Sequence, residues 1–181
     1  TAISAVNCHF LVITTNRFSG WYDNAVYLTG GNITPGQEDD GGPSIITDNY
    51  FEYNGTAISL KRRNRHCIIV GNFFGRNYVD IGCYEVGAGE IQPGDRLTVS
   101  SNEFIGTVSR VFEPKGYGEY TFSNNTVRDW GYDLSEVAIA QPNAIIASGN
   151  RNSIISGNIF EMRDRLSTVA HVAILRQNIT I

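Results

Sequence analysis

Three acidic residues in the middle of this 181-residue chain have a placement that suits paired-carboxylate chemistry. Asp80 lies between Val79 and Ile81, so strict strand alternation predicts that its neighbours point inward and its carboxylate points outward. Two carboxyls about 5 Å apart, or about 6.5–9.5 Å apart, are the arrangements that cleave glycosidic bonds with retention or inversion. Glu113 and Glu85 are the candidate partners of Asp80.

A structural role for Asp80 is an equally simple interpretation. Counting offsets from the repeated Asn described below predicts Ser59 and Arg110 as its neighbours in adjacent repeats. An exposed Asp80–Arg110 ion pair would contribute at most about 1 kcal/mol.

A basic run, Lys61-Arg62-Arg63-Asn64-Arg65-His66, is the strongest charge feature. It could be a solvated turn that pairs with acidic loops. Alternatively, Arg62, Arg63 and Arg65 could hold acidic groups of a substrate, and a cationic site of this kind also suits β-elimination on uronates.

Composition excludes several other classes of function. The net charge of −4 argues against nucleic acid, and no apolar run reaches membrane-spanning length. The chain lacks the spacings of a phosphate loop, a zinc site or a calcium loop, so neither a cofactor nor a metal is expected.

A six-residue string, aliphatic-x-x-Asn-x-Phe or a close variant, recurs six times with Asn-to-Asn spacings of 33, 23, 30, 23 and 33. Strands this short cannot bury a face alone, so the repeats must stack as coils with each position forming a column. The predicted columns are Ile13, Ile46, Ile69, Val99, Phe122 and Ile155; Phe18, Phe51, Phe74, Phe104, Val127 and Phe160; and Asn16, Asn49, Asn72, Asn102, Asn125 and Asn158. Asn suits its column because it tolerates left-handed backbone and its amide can bond the next Asn.

The prediction is an all-β, right-handed parallel β-helix of about six to seven coils with an Asn ladder, spanning 1–181 as one domain. Further strands are expected at Ala25–Leu28, Ala57–Leu60, Tyr78–Gly82, Ser109–Glu113, Ala144–Ala147 and His171–Leu175, and one short helix or turn near Tyr132–Glu136. The first and last residues read like the middle of repeats, which suggests a piece of a longer chain.

The strings Ile46-Thr47-Asp48-Asn49-Tyr50-Phe51 and Ile155-Ser156-Gly157-Asn158-Ile159-Phe160 resemble the repeats of the pectate-lyase-like superfamily, which includes phage tailspikes and polysaccharide depolymerases. The resemblance implies an extended groove for a cell-surface polysaccharide. In that groove Trp21, Tyr27, Tyr84 and Trp130 would stack on sugars, and Asp80 with Glu113 or Glu85 would hydrolyse them.

The resemblance also implies a homotrimer located outside the cell or on a virion tail. Two alternatives remain open from the sequence: a uronate lyase or epimerase that uses the basic run, and a structural or adhesive shaft without catalysis.

Overall fold

The chain winds into a parallel β-helix in which each full coil contributes three short strands. The computed structural model describes residues 1–30, 41–61, 64, 66–84, 96–115, 118–131, 143–148, 152–162, 171–176 and 179–180. Every strand pairs in parallel with the equivalent strand of the next coil, and the described residues contain no helix. The predicted architecture, a parallel β-helix of about six coils, is therefore confirmed.

The strands form three sheets, which we call A, B and C. Sheet A contains β1 (Ile3–Val6), β4 (Asn24–Thr29), β7 (Thr56–Lys61), β10 (Val79–Tyr84), β13 (Arg110–Pro114), β16 (Asn143–Ser148) and β19 (His171–Arg176). Sheet B contains β2 (Leu11–Thr14), β5 (Ser44–Thr47), β8 (Cys67–Val70), β11 (Arg96–Ser100), β14 (Glu119–Ser123), β17 (Asn152–Ser156) and β20 (Ile179–Thr180). Sheet C contains β3 (Arg17–Ser19), β6 (Tyr50–Glu52), β9 (Phe73–Gly75), β12 (Glu103–Ile105), β15 (Thr126–Arg128) and β18 (Ile159–Glu161).

The six additional strands expected from the sequence are the later strands of sheet A, with ends within two residues of those predicted. The expected turn or helix at Tyr132–Glu136 lies outside the described residues.

The interior is built from the predicted columns. The first column is buried from Ile13 to Ile155, and the second is buried from Phe18 to Val127, with Phe160 partly exposed. Within the second column, consecutive rings of Phe18, Phe51, Phe74 and Phe104 stack with centroids 4.9, 5.1 and 4.7 Å apart. Stacked rings at the strand repeat of about 4.8 Å explain why Phe recurs at this position.

The Asn column forms a continuous hydrogen-bonded ladder between sheets B and C. In each step the side-chain Oδ1 of one Asn accepts bonds from both the backbone N–H and the Nδ2 of the Asn below it. For Asn49 and Asn72 these distances are 3.0 and 3.1 Å. The Nδ2 groups also donate to backbone carbonyls; that of Asn72 donates to Ile46 at 2.9 Å. The ladder thus satisfies polar groups that burial would otherwise leave without partners.

The left-handed backbone at this turn belongs to a different residue from the one predicted. Positive φ angles occur at the residue before each ladder Asn, namely Thr15, Asp48, Gly71, Ser101, Asn124 and Gly157. The expectation that the ladder Asn itself is left-handed was wrong. The bend comes first, and it turns the following Asn side chain into the stack.

Candidate functional site

An open groove of about 870 Å³ follows the turn between sheets C and A. The residues that line it are Gly20, Trp21, Tyr22, Asp23, Tyr53, Asn54, Gly55, Thr56, Arg76, Tyr78, Val79, Val108 and Arg110. They come from four successive coils, so the groove runs along the helix axis over about 14 Å, which is three strand spacings. Four aromatic side chains in the groove are 40–99% exposed: Trp21, Tyr22, Tyr53 and Tyr78.

A second, shorter amide ladder fixes the floor of the groove. Asn54 and Asn77 lie five residues after two Asn of the main ladder. The Oδ1 of Asn54 accepts the backbone N–H of Trp21 at 3.1 Å, and the Oδ1 of Asn77 accepts the Nδ2 of Asn54 at 2.9 Å. Our reading of the sequence missed this ladder, although the 23-residue spacing between Asn54 and Asn77 is a signal that could have revealed it.

Two of the groove side chains occupy strained backbone positions. Tyr53 and Arg76 have φ angles of 56° and 50°, whereas glycine fills the equivalent positions 20 and 106 in the flanking coils. A bulky residue in this region costs about 1–2 kcal/mol relative to ordinary backbone. The two side chains also contact each other, because an Arg76 Nη1–H donates to the Tyr53 hydroxyl at 2.8 Å. The same left-handed backbone occurs at coil turns outside the groove, for example at Asp129, so it is a general feature of these turns.

Close packing of the first two coils shapes one wall of the groove. A Cβ at Gly55 would lie 2.1 Å from the carbonyl oxygen of Tyr22 and 2.7 Å from that of Asp23. The backbone N–H of Gly55 donates to the Trp21 carbonyl at 2.7 Å. Only glycine therefore allows the Trp21–Asp23 segment to lie this close to the second coil.

The predicted outward orientation of Asp80 was wrong. Its side chain is fully buried, and its two carboxyl oxygens accept hydrogen bonds from Asn77 Nδ2, at 2.9 Å, and from the Thr107 hydroxyl. The register of the flanking pairs places Ala57 and Val111 beside it, so the expected Ser59 and Arg110 are not its neighbours. Burial raises the pKa of Asp80 from 3.8 to about 7, while the two hydrogen bonds act in the opposite direction.

Glu113 lies opposite Gly82, one coil above Asp80 and two residues along the strand. Only 1% of its side chain is exposed, and its two oxygens are each 2.7 Å from a cation, Arg110 Nη1 and Lys115 Nζ. The described residues thus do not form an exposed carboxylate pair from Asp80 and Glu113. The third candidate, Glu85, lies outside the described residues.

The structure describes the side chains of three of the four aromatic residues that were predicted to stack on sugars. Trp21 lines the groove, and its stacking on a sugar stays a prediction. Trp130 does not fit its predicted role of stacking on sugars, because it is 5% exposed and packs edge-on against Phe160 at 6.3 Å between centroids. Tyr27 is half-buried outside the groove, with the Lys61 ammonium 5.2 Å from its ring centroid. The side chain of Tyr84, like Arg62, Arg63 and Arg65, lies outside the described residues.

No group of three His, Cys, Asp or Glu side chains within the described ranges is placed to hold a metal ion. The same part of the chain contains no helix with the length and apolar character needed to cross a membrane. Comparison with known proteins found no matching family model, no matching curated protein and no matching solved structure.

Proposed function

We propose that this chain is a carbohydrate-binding β-helix, of the pectate-lyase-like kind, that holds a polysaccharide along its axis in the aromatic groove. The observation that carries the proposal is the set of four exposed aromatic side chains, placed on three successive coils by a rigid backbone. Sugar rings have apolar faces that stack on aromatic rings, and their hydroxyls need polar groups nearby, which the exposed Asp23 supplies.

Two side chains at turn positions support the same proposal. Tyr53 and Arg76 line the groove, whereas glycine occupies the equivalent positions 20 and 106 in the flanking coils. The planar ring and the planar guanidinium add contact surface for a sugar that glycine would not provide.

Trp21→Ala is expected to weaken glycan binding by about tenfold or more, because stacking and burial of one aromatic face are lost. The measurement is calorimetric titration with the best ligand from a panel of capsular and lipopolysaccharide oligosaccharides. Phe10→Ala is the matched control, since Phe10 is 81% exposed but lies outside the groove. Equal losses of affinity in both variants would reject the groove as the glycan-binding site. The same conclusion would follow if the unchanged protein bound no glycan of the panel.

Binding without cleavage is the activity that the geometry favours. Both oxygens of Asp80 and of Glu113 are engaged by protein groups, which leaves neither carboxyl open to a substrate. Hydrolysis by these residues, and elimination by the basic run, stay predictions from the sequence. The glycan panel tests them, because hydrolysis creates new reducing ends and elimination creates an unsaturated, ultraviolet-absorbing product.

Assembly into a homotrimer outside the cell or on a virion stays a prediction from the resemblance to tailspikes. One described surface suits self-association: the outer column of sheet B carries Val12, Ile45, Ile68 and Ile154, each 37–58% exposed, with Thr98 and Thr121 between them. We expect sedimentation to show a trimer that Ile68→Lys dissociates. A monomer at all accessible concentrations would contradict this prediction.

A further inference from the structure

The end of the groove at the fourth coil differs in chemistry from the aromatic end. Arg110 lines the groove there with 37% of its side chain exposed, and its guanidinium Nη1 lies 2.7 Å from Glu113 Oε2. Glu113 is almost completely buried, and its second oxygen is held by Lys115 at 2.7 Å. A carboxylate fixed at both oxygens provides a rigid support for the arginine.

This support leaves Arg110 with unused binding capacity. A guanidinium carries five N–H donors in a planar fork, and Glu113 is the only hydrogen-bond and ion-pair partner of the Arg110 guanidinium in the part of the chain that the structure describes. The cluster of Arg110, Lys115 and Glu113 has two positive charges and one negative charge, so a positive charge remains. Such a fork matches the two oxygens of an oxyanion better than it matches a sugar hydroxyl.

We propose that Arg110 binds an oxyanion, a carboxylate or a sulfate, on one sugar of the polysaccharide, and that buried Glu113 is the positioning residue that orients it. This inference rests on the proposed function of the groove and adds its specificity. The aromatic side chains of coils one to three stack on sugar rings, and the acidic sugar lies at the coil-four end. The bound chain therefore has a defined direction along the helix axis.

Matched ligand pairs test the proposal. Acidic oligosaccharides are compared with the same oligosaccharides after carboxyl reduction or desulfation, which removes the charge and keeps the linkage. We expect the unchanged protein to prefer the acidic member by about tenfold or more, as a charge-assisted bidentate contact requires. The pair that shows the preference identifies the oxyanion as carboxylate or sulfate.

Arg110→Gln is expected to abolish this preference, so that the acidic and the neutral member bind with affinities within about twofold of each other, because the charged contact is lost. Arg110→Lys keeps the charge without the planar fork, so it should retain only part of the preference. Arg128→Gln is the control, because Arg128 lies on sheet C between Glu103 and Glu161, at 2.7 and 3.0 Å, and does not line the groove.

Glu113→Gln tests positioning. It should reduce the acidic preference while the neutral affinity stays unchanged, a split that general damage to the fold would not produce. If Arg110→Gln keeps the preference, or if the unchanged protein binds both members equally, this inference is overturned and the groove remains a carbohydrate site. If neither member binds, the inference and the proposed function both fail.

Discussion

Asn72→Ala is expected to lower the free energy of unfolding by about 3–5 kcal/mol, since each buried group that loses its hydrogen-bond partner costs about 1–3 kcal/mol. Asn72 is 2% exposed and lies in the middle of the main ladder. Its Oδ1 accepts the backbone N–H of Asn49 at 3.0 Å, and its Nδ2 donates to the Ile46 carbonyl at 2.9 Å. Alanine removes the partner of both groups at a site that is almost completely buried.

Asn16→Ala is the matched control for this prediction. Asn16 occupies the same column at its exposed end, where its Nδ2 donates to the Thr14 carbonyl at 2.8 Å and to Asn49 Oδ1 at 3.1 Å. Water can take over these exposed contacts, so we expect a loss below about 1 kcal/mol. Denaturant unfolding of both variants measures the difference. Equal losses of stability would mean that burial does not change what each ladder amide contributes to the free energy of unfolding.

The repeat explains why so much of the fold was predictable. A string that recurs at intervals of 23 residues, or 23 plus a loop, places identical side chains in columns, and a column of Phe or Asn is stable only when its members stack. The aliphatic, Phe and Asn columns were therefore assigned correctly from the string alone. The same spacing of 23 residues separates Asn54 from Asn77, five residues after the ladder Asn, and therefore also predicts the second ladder.

The orientation of Asp80 could not be predicted from alternation, because burial does not alternate along the central strands of sheet A. Val79 lines the groove, as do its register partners Thr56 and Arg110. Asp80 and Ile81 that follow are both fully buried. The chain leaves a left-handed residue, Arg76, only four positions earlier, and all five residues from 79 to 83 are buried, so burial along this strand does not alternate.

The sequence also did not predict how deeply each of the two tryptophans is buried. Trp21 and Trp130 belong to one register column. In this column the backbone N–H of the following residue bonds the carbonyl in the preceding coil: Gly55 bonds Trp21, and Gly131, which follows Trp130, bonds Thr107. Their exposures nevertheless differ, at 40% and 5%. The surroundings at each end of the stack decide which ring is available, and those surroundings come from residues remote in sequence.

Asp80→Asn is expected to stabilise the protein at pH 8 by as much as about 4 kcal/mol relative to the unchanged chain, because each unit of pKa shift corresponds to about 1.4 kcal/mol. Burial raises the native pKa of Asp80 from 3.8 to about 7, so the native state favours the neutral carboxyl. The stabilisation that this group contributes is complete below about pH 4. It decreases as the pH rises toward 7, because the unfolded chain releases the proton first.

Asparagine removes this titration and keeps the contacts. Its Oδ1 can accept from Asn77 Nδ2, as Asp80 Oδ1 does at 2.9 Å, and its own amide can donate to the Thr107 hydroxyl, which extends the short ladder by one member. We therefore expect a variant whose stability changes little between pH 4 and pH 8, whereas the unchanged protein becomes less stable over that range. Thermal unfolding at intervals of one pH unit measures both profiles.

Asp48→Asn provides the control, since Asp48 is an exposed carboxyl on the turn of the second coil and bonds Thr47 Oγ1 at 2.9 Å. It should leave the pH profile of the unchanged protein intact. If Asp80→Asn is less stable than the unchanged protein at pH 8, then the native carboxyl is ionised and its two hydrogen bonds outweigh desolvation. That result would also mean that Asp80 is a charged group beside the groove. Glycan cleavage would then test its catalytic role, because cleavage that persists in Asp80→Asn would exclude it.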